Sequence, residues 1–366
     1  MNIKPHIAID LRMYKMAGIG RYLQNMLPDL IPQLEVEKIA ILGRSEDLEG
    51  EGWIRDGRIQ FHEFRPQIFS VAEQWAAIAG VYCNIDLLWV PQYNIPLLFQ
   101  GKLLVTIHDL CQLAHPETLG SDLQRRYAKY LLAQVAKRAS AILCVSEFTA
   151  SEVGRYLHVD RNRVVVTYPA MDNASSSPTI SLEELSERPY LLAVGNVKKH
   201  KNLLRLIAAF KLVSDKIPHN LILVGRQDGF MNAETQLGNV STSLSGRVQF
   251  TGHVTDQELR IFYRNASALV FPSLYEGFGY PLVEAMAEGC PTACSNSASL
   301  PEVAGDAALL FDPNSIEDIG RALLQIATEP TLRKSLSERG RRRVRRFLGT
   351  ACAEATAATI NRLLEV

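Results

Sequence analysis

The sequence predicts an α/β protein made of two Rossmann-like, doubly wound domains facing each other across a cleft. Three observations carry that expectation. Short apolar runs alternate with helical patterns along the whole chain, which implies parallel sheets built from crossover units. A Ser-rich, unpatterned stretch, Ala170-Met-Asp-Asn-Ala-Ser-Ser-Ser-Pro-Thr179, interrupts the alternation and reads as a linker or loop. At 366 residues the chain is long for one domain and comfortable for two, each with its own core. The expected domains are residues 1–175 and 186–349, with 350–366 forming a last helix.

In the first half, strands are expected at His6–Asp10, Lys38–Leu42, Ile59–Phe61, Leu87–Val90, Leu103–Ile107, Ala141–Val145 and Val164–Val166. The second half restarts with Tyr190–Val194, Leu221–Val224, Val248–Thr251, Ala268–Phe271, Pro291–Ser295 and Ala308–Phe311. In sheets of this kind ligands gather at the carboxyl ends of the strands. The loops that follow the strands are therefore where chemistry is sought.

Bulk properties narrow the function. Hydrophobic residues make up 47% and charged residues 21%, an ordinary globular composition. Lys plus Arg equals Asp plus Glu at 39 each, so no global field favours nucleic acid. No apolar run is long enough to span a bilayer, and Met1–Asp10 reads as a short first strand rather than a signal peptide. The six cysteines are scattered; Cys290 and Cys294 lack a second pair to complete a zinc site, so reduced thiols in a cytoplasmic protein are expected.

The most informative stretch is Phe271-Pro-Ser-Leu-Tyr-Glu-Gly-Phe-Gly-Tyr-Pro-Leu-Val-Glu-Ala-Met-Ala-Glu-Gly-Cys290. An apolar strand enters a Gly/Pro-punctuated loop that opens a helix, with Pro281 in the first turn, where a missing N–H costs nothing. The helix start near Leu282 and Val283 offers N–H groups and a positive dipole end to an anion. Gly277 and Gly279 allow close approach of a ligand to the backbone. Glu276 before the helix and Glu284 within it suit a ligand with hydroxyls on both sides of a phosphate, such as a sugar nucleotide.

The Glu276/Glu284 pair within Tyr275-Glu-Gly-Phe-Gly-Tyr-Pro-Leu-Val-Glu-Ala-Met286 resembles the E-x7-E signature of retaining glycosyltransferases of the GT-B fold, family 4. The downstream Ser295-Asn-Ser-Ala-Ser-Leu-Pro-Glu302 strengthens the likeness, which extends over nearly the whole chain. Asp10-Leu-Arg-Met-Tyr-Lys-Met-Ala-Gly-Ile-Gly-Arg-Tyr22 contains Gly18 and Gly20 but has Leu23 in place of the third glycine of a dinucleotide fingerprint, which argues against an oxidoreductase. It is similar to the family's Gly-Ile-Gly-Arg-Tyr loop, which faces the donor diphosphate. In Ala193-Val-Gly-Asn-Val-Lys-Lys-His-Lys-Asn-Leu203, Lys201 matches the family's phosphate-binding lysine. Asn196 stands where the family often has Arg, leaving Lys198, Lys199 or Arg226 as the assisting cation. His108, in Val105-Thr-Ile-His-Asp109, matches the family's histidine at a strand end and is expected to touch the transferred sugar. Asn94, Ser146 and Glu147 sit at comparable strand ends as pocket-lining candidates.

The resemblance implies a division of labour. Glu276, His108 and Lys201 serve the reaction; Gly18, Gly20, Asn196, Lys198, Lys201, Arg226, Phe278, Gly279, Tyr280, Leu282, Val283 and Glu284 bind the donor. Lys201, a second cation and the helix N-terminus would stabilise the charge on the departing diphosphate, with no metal and no cofactor. Glu284 would hold the ribose hydroxyls and Glu276 the sugar hydroxyls. No Asp-x-Asp motif accompanies this site. The family also sends its last helix back to the first domain, a role that Cys352–Leu364 fits. The expected donor is a nucleotide-diphosphate sugar, with UDP-glucose placed ahead of GDP-mannose on the family's habits alone. The expected acceptor is a saccharide or lipid-linked glycan in polysaccharide synthesis. Two basic segments, Ser121–Arg138 and Gly340–Arg346, leave peripheral contact with the cytoplasmic face of a membrane open. Rival readings are a UDP-sugar epimerase and a non-catalytic binding subunit.

Overall fold

The computed structural model of the chain describes residues 5–75, 82–116, 121–171, 188–226, 244 and 246–365. From residue 172 on, the Ser-rich stretch read as a linker lies outside the described residues. The chain divides into two compact units, Met1–Ala170 with Gly349–Val366, and Met171–Leu348.

Each unit is built on one parallel sheet. The N-terminal unit has seven strands in the order β3-β2-β1-β4-β5-β6-β7. They are β1 His6–Asp10, β2 Lys38–Gly43, β3 Ile59–Glu63, β4 Leu87–Val90, β5 Lys102–Ile107, β6 Ala141–Cys144 and β7 Val164–Val166. The C-terminal unit has six in the order β10-β9-β8-β11-β12-β13. These are β8 Tyr190–Val194, β9 Asn220–Val224, β10 Val248–Gly252, β11 Ala268–Phe271, β12 Thr292–Ser295 and β13 Ala308–Phe311. Every strand expected from the sequence is present, with ends that differ by a residue or two. Strands β4, β6, β9, β11 and β12 are buried along their whole length, as apolar runs covered on both faces must be. Edge strand β3 is mostly exposed after Ile59, and its sequence is correspondingly polar.

Local signals set the helices. Asp122–Arg138 opens on a capping box between Ser121 and Gln124, and Asp256–Asn265 on one between Thr255 and Glu258. The last helix, Ala351–Leu364, belongs to the N-terminal unit and packs on Ile19–Leu30. Its Cys352 Sγ and Thr356 Oγ1 lie 3.6 and 3.5 Å from Met26 Sδ.

Both basic segments have structural uses. Arg138 donates to the carbonyls of Pro96, Leu97 and Phe99, while Arg126, Lys129 and Lys137 on the same helix are exposed. Arg343 donates to the carbonyls of Glu302 and Val303, closing the end of the short Leu300–Ala304 helix. No helix among the described residues is long and apolar enough to cross a membrane.

In both sheets the strand order reverses once, between β1 and β4 and between β8 and β11. The crevice outside the carboxyl ends at such a reversal is where doubly wound sheets bind ligands.

Candidate functional site

The β8–β11 reversal brings two sequence motifs together. After β8 the backbone passes through Gly195 at φ 148° and makes a 3₁₀ turn over Lys199–Lys201. After β11 it runs through Tyr275–Gly279 into the helix Tyr280–Ala287. Lys201 Nζ donates to Glu276 Oε1 at 2.6 Å, across 75 positions of sequence. Both side chains are mostly buried, 18% and 14% exposed, so little water screens the pair. The Lys201 ammonium also stands 5.5 Å from the centre of the Phe271 ring.

The backbones of both residues are pinned. Asn202, in the left-handed region at φ 58°, donates from its side chain to the carbonyls of Pro272 and Pro313 at 3.1 and 2.8 Å. Leu274 N–H donates to the His200 carbonyl at 2.7 Å, tying one loop to the other. Ser299, wholly buried, donates its hydroxyl to the Glu276 carbonyl at 2.9 Å. That bond is the physical use of the Ser-rich segment downstream of the signature.

A second clip joins the ends of β8 and β9. Asn196 Oδ1 accepts from Arg226 N–H at 3.1 Å, and Val197 N–H donates to the Arg226 carbonyl at 3.0 Å. A side chain at Gly225 would meet the Gly195 carbonyl oxygen at 2.3 Å, so that crossing requires glycine. Asn196 is thus a loop clip that sets Arg226 at the strand end, and the Asn196, Lys198, Lys199 and Arg226 side chains are exposed there.

At the helix start, Gly279 takes φ 92°, and a Cβ there would press on the Leu300 side chain. The expectation for Leu282 is corrected. Pro281 has no N–H, and Leu282 N–H donates to the Gly279 carbonyl at 3.0 Å in a tight first turn, so Leu282 is not an anion donor. The side chains of Leu282, Val283 and Phe278 are core, with Phe278 packed edge-on against Tyr280 and Phe347. Glu284 accepts from the Tyr263 hydroxyl at 2.9 Å, a partner on the Asp256–Asn265 helix that sequence reading missed.

In the N-terminal unit the outcome differs. His108, at the end of β5, has Nε2 3.0 Å from the Pro91 carbonyl; a carbonyl only accepts, so Nε2 carries the proton and Nδ1 is left as an acceptor. Burial pushes its pKa down to about 4, so the ring is neutral near pH 7. The Tyr22 ring meets it edge-on at 5.1 Å. The two loop glycines divide. Gly18, at φ 76°, has open space where a Cβ would stand, whereas a Cβ at Gly20 would lie 2.4 Å from the Tyr14 carbonyl oxygen. Gly20 N–H donates to Met16 O, so Gly20 serves packing rather than ligand approach.

The three pocket-lining candidates of this unit are engaged elsewhere. Ser146 caps the helix Glu147–Leu157 and is wholly buried. Glu147 is exposed and pairs with Arg161. Asn94 donates to Glu73 Oε2 at 3.2 Å in a buried network that sequence reading also missed. There Arg12 bridges Asp10, at the end of β1, and Glu73, on the short helix Val71–Trp75, with Arg12 Nη1 3.0 Å from Glu73 Oε2. Burial raises the Glu73 pKa, with Arg12 and Asn94 opposing the shift.

Two parallel, doubly wound sheets, with Lys201 and Glu276 paired at the reversal of the second, match the architecture of the GT-B fold. Comparison with known proteins gives the family. Residues 16–174 match the profile described as Glycosyltransferase Family 4, and residues 180–343 that of Glycosyl transferases group 1. The chain is 32% identical over 371 residues to O-antigen chain mannosyltransferase B of Escherichia coli, covering 95% of this chain and 96% of that one. It is 31% identical over 269 residues to O-antigen chain mannosyltransferase RfbU of Salmonella typhimurium, 73% of this chain and 72% of that one. The chain belongs to glycosyltransferase family 4. Among solved structures, sucrose-phosphate synthase from Thermosynechococcus elongatus has the same fold, with a TM-score of 0.77 at 18% identity, covering 99% of this chain and 100% of that one. So does Anabaena Alr3699/HepE, solved in complex with UDP and glucose, with a TM-score of 0.73 at 18% identity and coverage of 98% and 100%.

Proposed function

We propose that the protein is a retaining mannosyltransferase that moves mannose from GDP-mannose to a glycan or lipid-linked saccharide in the synthesis of an O-antigen-type polysaccharide. The observation that carries this reading is the end-to-end similarity to O-antigen chain mannosyltransferase B. UDP-glucose, the donor expected from the family's habits, gives way because both relatives above are mannosyltransferases. The UDP-bound neighbour, at 18% identity, speaks only for fold.

In this reading the bond between mannose C1 and the diphosphate oxygen breaks while an acceptor hydroxyl oxygen bonds C1 on the same face. The hydroxyl proton passes to the departing phosphate oxygen. Lys201, with Arg226 held at the adjoining strand end by Asn196, neutralises the charge left on the diphosphate, so no metal is required. Glu284, oriented by Tyr263, accepts from the ribose hydroxyls, and Glu276 accepts from hydroxyls of the transferred sugar. His108 keeps its Nδ1 lone pair as an acceptor for a sugar hydroxyl. Gly18 leaves the backbone of the loop after β1 open to a ligand.

Calorimetric titration of GDP, UDP, ADP and dTDP into protein treated with a chelator tests the donor. Selective binding of GDP is expected. Selective binding of UDP would return the donor to a UDP-hexose, and binding that appears only after metal is restored would end the metal-free mechanism.

A further inference from the structure

We propose that the Lys201–Glu276 ion pair is a latch that the donor's diphosphate must open, so that sugar recognition by Glu276 becomes available only once the diphosphate holds Lys201. This inference rests on the roles assigned above and goes beyond them by coupling the two residues. The group that would neutralise the diphosphate and the group that would hold the sugar are paired with each other at 2.6 Å. Each charge is then answered by the other, so a ligand must compete for it even though Lys201 keeps further N–H groups and Glu276 further lone pairs.

The surroundings restrict the exchange to side chains. The Lys201 backbone is fixed by its N–H bond to Lys198 O at 3.0 Å and by the neighbouring Asn202, which is held by two proline carbonyls. The Glu276 backbone is fixed by Ser299. The Lys201 stem lies along Gly195, and a Cβ added there would stand 3.5 Å from Lys201 Cδ. The missing side chain leaves that flank of the stem clear at the strand end. An incoming diphosphate carries more charge than one carboxylate and is also met by Arg226, so it competes for Lys201 with an advantage that a lone sugar lacks. Glu276, released from the ammonium, then accepts from sugar hydroxyls.

The latch predicts a gain of affinity on removing a mostly buried charge. Glu276→Gln keeps the shape of the side chain and removes the competing anion, so GDP should bind about threefold to tenfold more tightly, the size of one ion pair that keeps some access to solvent. Guanosine, which has no phosphate, should bind as it does to the wild type. Adding Lys201→Ala to Glu276→Gln should erase the gain. Thermal melting of each variant checks that it is folded, and the competing arm runs with whichever nucleoside diphosphate the wild type prefers. GDP binding unchanged or weakened in Glu276→Gln would overturn the latch, because Lys201 would then be using its three N–H groups to hold both anions together. A wild-type protein that bound no nucleoside diphosphate would overturn the donor reading and the latch with it.

Discussion

The two sheets reverse their strand order at the same place, between the first and fourth strand of each, and fill that place in opposite ways. In the C-terminal unit the β8–β11 reversal presents the Lys201–Glu276 pair with both side chains partly open to solvent. In the N-terminal unit the β1–β4 reversal is filled by Asp10, Arg12, Glu73 and Asn94, all of whose side chains are nearly inaccessible. Arg12 there satisfies two carboxylates and the Pro66 carbonyl, and its guanidinium lies 4.7 Å from the Phe64 ring centre. A reversal point therefore makes room for polar groups, but only those with spare capacity can serve a ligand. The pair with one charged partner and a route to solvent is poised for exchange; the buried network, in which Arg12 is shared among two carboxylates and a carbonyl, is a brace.

The largest expected effect separates brace from site. Arg12→Ala leaves the Asp10 and Glu73 carboxylates buried without their cation, and the cost should be about 3–5 kcal/mol of folding stability, read by urea denaturation. Lys201→Ala should lower the melting temperature less than Arg12→Ala, because the Glu276 carboxylate it leaves behind keeps some access to solvent, and should lower kcat by about 10² to 10³. An Arg12 variant that melted normally yet lost turnover would move the N-terminal reversal from brace to site.

A smaller effect compares two histidines. His108 stands at a carboxyl strand end in the N-terminal unit; His219 stands at the opposite, amino end of β9 in the C-terminal unit. Both are pushed down to about 4, His108 by burial, and His219 by burial with Arg333 and Arg247 nearby. A depressed histidine alone therefore does not mark a site. The unfolded chain takes up a proton near pH 6.5, before native His219 does, so its contribution is complete above that pH and is lost as pH falls toward 4. His219→Gln should flatten the decline in stability between pH 6.5 and 4 by on the order of 2 kcal/mol. An acid limb of unchanged slope would show that His219 does not contribute to it.

Much of the architecture was legible because buried parallel strands need apolar runs, and runs such as Ala268–Phe271 and Tyr190–Val194 have no other use. That Lys201 and Glu276 serve one site was legible only through the resemblance, and their direct contact was not, since nothing in local pattern links residues 75 apart. What stayed hidden depends on tertiary pairing. Glu73 sits in a five-residue helix without a periodic signal, 61 positions from Arg12. The Asp10–Arg12 spacing was visible, but alternate positions in a strand-end loop carry no sign of a third partner. Leu282 was misread because helix starts expose N–H groups in general, whereas this one tightens behind Pro281 and engages the group at once.

The smallest expected effect concerns Tyr263, whose hydroxyl reaches Glu284 from a helix that ends 15 residues before the Tyr280–Ala287 helix begins. Tyr263 is almost wholly buried, so the ring itself is core, and Tyr263→Phe keeps that packing while removing one donor. A hydrogen bond to a carboxylate of this kind is worth about 1–2 kcal/mol. If it orients Glu284 toward ribose, GDP affinity should fall by about threefold to tenfold while kcat at saturating donor stays close to wild type. The same loss should appear with guanosine, which keeps the ribose, in contrast to the phosphate-dependent change expected at Glu276. A variant that bound guanosine normally would sever Tyr263 from nucleotide recognition and leave its hydroxyl as a tie between two helices of the C-terminal unit.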